Sequence, residues 1–409
     1  MGNIAPVMPE VDFGADPLED LYERIAALRD AGHRVVPVRY IGETAWLLLR
    51  YADVTEIFAD EKRLPAAAAY ERTGMPAMGR ILTAMRGEQH RVNRALAGGA
   101  LLPGAIRRAT ETLLVPIANG LIDAFGDRRA VDLVEAYARR YPFNVISRLI
   151  GVPTEDEARL DRWLGHIIRY QWEPEEALDA RAALDTYLMP IVAERRRNPG
   201  EDLISQLVTA EIEGRRLDEE EILSFLRLLY PAGTGTTFMT MSALILEVIS
   251  DRTVYDRLLA HPEDRAAAVE EALRKEAPTT MLPRYTETPV TIGGVDIPAG
   301  AMILVCSGAA NHDPDMFPDP ERFSLDRGMN PHATFGRGPH FCLGSHLARE
   351  ELRISLSLLL ERLPGLRLAD DQPIRASGTV VRGIRALPVV FDDVLPPVAY
   401  VDPARKGAG

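Results

Sequence analysis

Phe335-Gly-Arg-Gly-Pro-His-Phe-Cys-Leu-Gly344 is the stretch on which the reading of this chain turns. Gly336 and Gly338 permit turns and a close backbone approach that side chains would block. Pro339 stiffens the run just before the cysteine. Leu343, Leu347, Leu352, Ile354, Leu356 and Leu359 follow at mixed helical spacing, so Cys342 is expected where a helix begins. Free N–H groups and the dipole at a helix N-terminus favour an anion. The site is therefore expected to favour the thiolate, the metal-binding form of cysteine. A lone intracellular cysteine is ordinarily a small core residue. The chain's other cysteine, Cys306 in the strand-like run Met302-Ile-Leu-Val-Cys306, is read that way.

The pattern Phe-Gly-x-Gly-x-His-x-Cys-x-Gly resembles the haem-binding loop of the cytochrome P450 superfamily. The resemblance implies a mainly α fold with small β-sheets, an α+β class, in which haem lies between a long kinked distal helix and the cysteine loop. It implies that Cys342 is the axial ligand of a haem b iron (iron protoporphyrin IX), where a thiolate pushes electron density and favours O–O cleavage. It further implies that Phe335 and Gly336 pack at the haem and that His340 contacts a propionate.

Composition narrows the class. The chain has 409 residues, which a length prior of ~150 per domain would divide in two or three. No linker, low-complexity tract or repeat supports a division, so one domain over residues 1–409 is expected. Asp and Glu number 60 against 47 Lys and Arg, a net charge of −13 that argues against general nucleic-acid binding. Two cysteines exclude a disulfide framework. Residues 1–20 lack the basic start and apolar run of a signal peptide, and no stretch approaches the ~18 uninterrupted apolar residues of a membrane span. A cytoplasmic protein with no membrane partner is the expectation.

Along the chain, Asp16-Pro17 reads as a helix start, and residues 34–40 and 44–50 as strands. Residues 62–85 lack clear periodicity and read as a loop, which in the family covers the substrate pocket. Residues 87–96 read as a helix with His90 and Arg94 on one face. In the resembled family this His-x-x-x-Arg reaches the haem propionates, as does an arginine matching Arg284. The regions 160–172 and 178–197 are expected as paired lid helices. Residues 217–250 read as a long helix interrupted at Tyr230-Pro-Ala-Gly-Thr-Gly-Thr-Thr237, because Pro231 lacks a donor and Gly233 and Gly235 weaken it. Residues 378–381 and 387–391 are expected as a last hairpin whose turn enters the pocket.

The family carries an oxygen-contacting threonine in that helix, here Thr236, usually preceded by an acid. This chain has Gly235 in the acid's place, so Thr234, Thr236 and ordered water are the distal proton donors expected. Leu82, Tyr230, Ala232, Gly233, Met281, Leu282 and Val380 are expected at the substrate pocket. Glu271 and Arg274 resemble the family's structural ion pair, joined by Arg322. The activity implied is monooxygenation: one atom of O₂ enters a mainly apolar small molecule. Electrons would come from NAD(P)H through a ferredoxin and ferredoxin reductase, since no flavin or dinucleotide fingerprint is present. Arg337, Arg349 and Arg353 are expected to form the docking patch for that supply. Gly235 motivates an alternative, a peroxide-using or coupling or rearranging haem-thiolate enzyme. A haem gas sensor is a third reading.

Overall fold

The computed structural model describes residues 5–370, 373–398 and 400. Helix α1 (Leu21–Asp30) begins four residues later than Asp16-Pro17 suggested. The Asp16 carboxylate is occupied in a turn, accepting the Asp12 N–H at 2.7 Å, and does not cap a helix. Gly32, at φ +86°, ends the segment in a conformation that other residues rarely adopt.

A four-stranded sheet follows, built from β1 (Val35–Tyr40), β2 (Glu43–Leu48), β3 (Leu282–Tyr285) and β4 (Met302–Val305), in the order β1-β2-β4-β3. β1 and β2 pair antiparallel, β2 and β4 parallel, and β3 and β4 antiparallel. β4 is buried along its whole length, as the apolar run Met-Ile-Leu-Val requires of an inner strand. Its Ile303 stands opposite Trp46 on one side and Arg284 on the other. That register fixes where Arg284 projects. The expected last hairpin does not form. Pro388–Val390 pairs with Arg367–Leu368 and with Ala130–Asp132, while Ser377 and Gly383 close a separate turn. Within that turn the Val380 carbonyl accepts the Thr280 N–H at 3.0 Å.

Residues 62–85 are largely helical rather than a loop. After α2 (Tyr51–Ala59), the alanine run opens α3 (Ala66–Thr73), and short turns follow at Met75–Met78 and Leu82–Ala84. Alanine has the highest helix propensity, and Ala66, Ala67, Ala68 and Ala69 are all buried, so packing completes what propensity begins. Then come α4 (Gly87–Ala97), α5 (Glu157–Ile168) and α6 (Pro174–Arg197).

The long helix α7 (Glu219–Ser250) runs through the largest buried cluster. A capping box starts it: the Asp218 carboxylate accepts the Glu221 N–H at 2.8 Å and the Glu221 carboxylate accepts the Asp218 N–H at 3.0 Å. Contrary to expectation, α7 is helical through Tyr230–Thr237 without interruption. Gly233 explains part of this: a Cβ there would lie 2.6 Å from the Ile146 Cδ1, so the glycine seats α7 tightly on the helix Arg140–Ile150. Among the described residues α7 is the only helix long and apolar enough to cross a membrane, and here it is a core helix. α8 (Arg265–Lys275) and α9 (Ser345–Arg362) pack against it.

Candidate active site

The cysteine loop closes on itself before α9. The Cys342 N–H donates to the Phe335 carbonyl at 2.9 Å, and the Gly336 N–H to the Ala333 carbonyl at 2.9 Å. Gly336 and Gly338 have φ of +67° and +71°. A Cβ on Gly338 would meet the Phe58 carbonyl and the Ala59 Cα, each at 3.1 Å, so α2 presses directly on the loop backbone. Cys342 stands two residues ahead of Gly344, which caps α9. Its thiol is open to a cavity, although protein surrounds it on the other sides. Burial pushes the thiol pKa up, and this outweighs the Gly344 and Ser345 N–H groups and the Arg94 and Arg349 charges. Contrary to the expectation from sequence, the helix N-terminus alone therefore does not make the thiolate. A bound metal deprotonates a coordinating thiol outright.

The cavity, about 270 Å³, lies between this loop and α7. Cys342, Phe335, Gly336 and His340 form one wall, and Ala232, Thr236, Thr237 and Thr240 the other. Leu282, Arg284 and Tyr70 close its sides. Of the residues expected at the substrate pocket, Ala232 and Leu282 line it. Leu82, Gly233, Met281 and Val380 are not among its lining residues, and Tyr230 is fully buried with its hydroxyl 2.5 Å from Ser147. Helical phase separates the threonines. Thr236 faces the cavity, and its hydroxyl donates to the Ala232 carbonyl at 2.8 Å. Thr234, expected beside it, is buried off the cavity, donating to the Tyr230 carbonyl at 3.1 Å. Thr237 and Thr240 were not anticipated. Continuing the helix through Pro231 would have placed Thr240 one turn beyond Thr236 on the same face.

A second cavity of about 910 Å³ shares Cys342 and His340 with the first and is also lined by His90, Arg94 and Glu61. His90 and Arg94 thus lie on one face of α4, as their spacing implied. The His90 and His340 rings are 4.2 Å apart. Burial, with His340 and Arg94 nearby, lowers the His90 pKa to about 4, so this ring is neutral at pH 7 rather than a charged contact. Arg94 donates to the Phe341 carbonyl at 2.6 Å. Three buried polar atoms along this rim have no partner: His90 Nε2, Arg284 Nε and Glu61 Oε1. Buried polar atoms of this kind are rarely left orphaned. With an open cysteine sulfur on one wall, a helix face on the other and the unpaired Arg284 and His90 nitrogens at the edge, these residues fit a flat porphyrin carrying carboxylates.

Two supporting assignments change. Glu271 and Arg274 form a fully buried bidentate pair at 2.8 and 2.9 Å, but the further arginine on Glu271 is Arg327, at 2.7 Å. Arg322 contributes its carbonyl oxygen, which accepts from both Arg274 and Arg327. The three arginines expected as a docking patch are engaged internally. Arg349 grips Glu270 at 2.7 and 2.8 Å and lies over the Phe335 ring. Arg337 donates to the Tyr51 hydroxyl and the Pro331 carbonyl, and Arg353 pairs with Glu350 at 3.8 Å.

The chain is similar in sequence and fold to known proteins. Residues 266–380 match the family model described as Cytochrome P450. The mycinamicin IV hydroxylase/epoxidase of Micromonospora griseorubida is 36% identical over 364 residues, covering 86% of this chain and 90% of that protein. The vitamin D(3) 25-hydroxylase of Pseudonocardia autotrophica is 34% identical over 363 residues, with 85% and 88% covered. Among solved structures, the bacillaene polyketide synthase cytochrome P450 PksS of Bacillus subtilis superimposes with a TM-score of 0.85 at 30% identity, covering 92% of this chain and 97% of that one.

Proposed function

Because the chain belongs to the cytochrome P450 family, we propose that it inserts one oxygen atom of O₂ into a mainly apolar small molecule with electrons from NAD(P)H. It is a haem-thiolate monooxygenase carrying haem b. The observation that carries the proposal is the pairing of Cys342 and Thr236 on opposite walls of one cavity.

Haem held there would supply oxygen activation and electron transfer, and Cys342 would hold its iron as a thiolate. His340, His90, Arg94 and Arg284 would hold its propionates. On the opposite wall, the Thr236 hydroxyl proton is committed to the Ala232 carbonyl, which leaves its oxygen free to accept a hydrogen bond. Thr236 therefore holds a water, or a substrate hydroxyl, at the cavity face of α7. Thr237 and Thr240 extend that hydroxyl lining. Gly235 carries no acid, so protons reach the site by water on these hydroxyls or from the substrate. The same glycine supports a second reading, a peroxide-using or coupling enzyme.

The names of the relatives include a mycinamicin IV hydroxylase/epoxidase, a vitamin D(3) 25-hydroxylase and a steroid C26-monooxygenase, which supports a bulky, largely apolar substrate. Ala232, Leu282 and Pro278 in the lining suit such a molecule. The electron supply we favour is a cytoplasmic ferredoxin and its reductase. It would dock over the cysteine loop at exposed Leu102, Arg107, Arg108 and His346, and the chain would act as one domain. The deciding experiment measures product from candidate substrates with NAD(P)H, ferredoxin and reductase, and separately with peroxide alone. Turnover in the first arm, lost in Cys342→Ser, supports monooxygenation. Turnover only with peroxide moves the second reading to the front.

A further inference from the structure

The rim that would receive the propionates already contains a carboxylate that no sequence feature announced. Glu61 follows α2, and its side chain is 22% exposed. Its Oε2 accepts the Ala66 N–H at 3.1 Å and lies 3.4 Å from His340 Nε2. Its Oε1 lies 4.0 Å from Arg284 Nη2 and is buried without a hydrogen bond. Arg284 and His340, which flank the Glu61 carboxylate, are thus the same two side chains that would bind a propionate.

Charge makes the overlap consequential. Burial raises the Glu61 pKa, but His340, the Ala66 N–H and Arg284 together pull it below the ordinary value, so the group is anionic. Arg94 and Arg284 face the rim, and His90 is neutral at pH 7. Lys62 and Arg86 line the same cavity, with Arg86 held by Glu287 at 2.9 Å. A porphyrin brings two carboxylates of its own, so Glu61 makes a third beside Arg284 and His340. A like charge brought to the same side chains in a partly buried site is repulsive and weakly screened.

Resting on the propionate assignment of Arg284 and His340, we propose that Glu61 is a positioning residue that competes with one haem propionate for those two side chains. It thereby sets how tightly haem is held and how easily the iron is reduced. Relief of a like-charge contact predicts that Glu61→Gln, which keeps the shape and the acceptor for Ala66 N–H, slows haem loss by about three- to tenfold.

The test uses the purified holoenzyme. Haem transfer to excess apomyoglobin gives the loss rate, and a redox titration gives the reduction potential. The expected result for Glu61→Gln is slower loss and a more positive potential. A Glu61 that merely braces the backbone gives the opposite pattern, unchanged loss and potential in Glu61→Gln but faster loss in Glu61→Ala, and overturns the proposal. Faster loss in Glu61→Gln overturns it too. Arg284→Ala separates the two levels. If Arg284→Ala sheds haem faster while Glu61→Gln behaves as wild type, only the Glu61 proposal fails. If Arg284→Ala retains haem normally, the propionate assignment fails and the Glu61 proposal falls with it.

Discussion

Cys342 and Cys306 differ at the scale of single residues only in what surrounds them. Cys306 is wholly buried and burial drives its pKa up to about 12, so it is inert. Cys342 opens on the cavity. Cys342→Ser should abolish the red-shifted absorption of the reduced carbon-monoxide complex, while Cys306→Ser should keep it. Gly235 permits a second test, because a Cβ added there meets nothing within 4 Å. The position therefore has room for the first atom of a side chain. If proton supply is limiting, Gly235→Asp should raise both turnover and product formed per NAD(P)H consumed, since general acids typically contribute ~10²–10⁴-fold to rate. Thr236→Ala should lower the same ratio by losing the hydroxyl that holds water. An unchanged ratio in Thr236→Ala would remove this threonine from the proton path.

At the scale of the element, α7 owes its course to packing as much as to propensity. Pro231 and two glycines mark a weak helix by propensity, yet the segment is continuous because it is buried on several sides. Gly233→Val should overpack the contact with Ile146 and cost about 1–3 kcal/mol in urea unfolding. Pairing it with Ile146→Ala should recover part of that loss, since the two changes act on one contact. A second element-scale test concerns α8 and the chain entering the cysteine loop. Arg327→Ala removes a charged hydrogen bond to buried Glu271 and should cost about 1.5–3 kcal/mol. Arg322→Ala keeps the backbone carbonyl that the cluster uses, so it should be nearly neutral.

For the whole molecule, α9 carries a buried acid that shapes stability against pH. Glu351 is fully buried and neither carboxyl oxygen has a hydrogen-bond partner. Burial pushes its pKa well above the ordinary value. The folded state thus holds a proton that the unfolded chain releases near the usual ~4.3, and stability from this group falls as pH rises beyond that point. Glu351→Gln should therefore gain stability relative to wild type progressively from about pH 5 upward. Denaturant titrations at several pH values check this, and a pH-independent difference would contradict it.

Local chemistry made much of this protein legible before folding. The glycines and cysteine of residues 335–344, the His90 and Arg94 spacing and the Asp218 cap all depend on neighbours within a turn or two, so the residues themselves carried the information. The α+β class and the haem-binding role of Cys342 followed from the resemblance these residues bear to the cytochrome P450 loop. Tertiary structure decided the rest. The phase of α7 put Thr237 and Thr240 on the cavity and turned Thr234 away. Burial, not the helix dipole, set the Cys342 thiol and neutralised His90. Chain segments hundreds of residues apart brought Glu61 to Arg284 and His340, and Arg327 rather than Arg322 to Glu271. Charge pairing and desolvation are set by what packs alongside from distant sequence, and no local pattern records them.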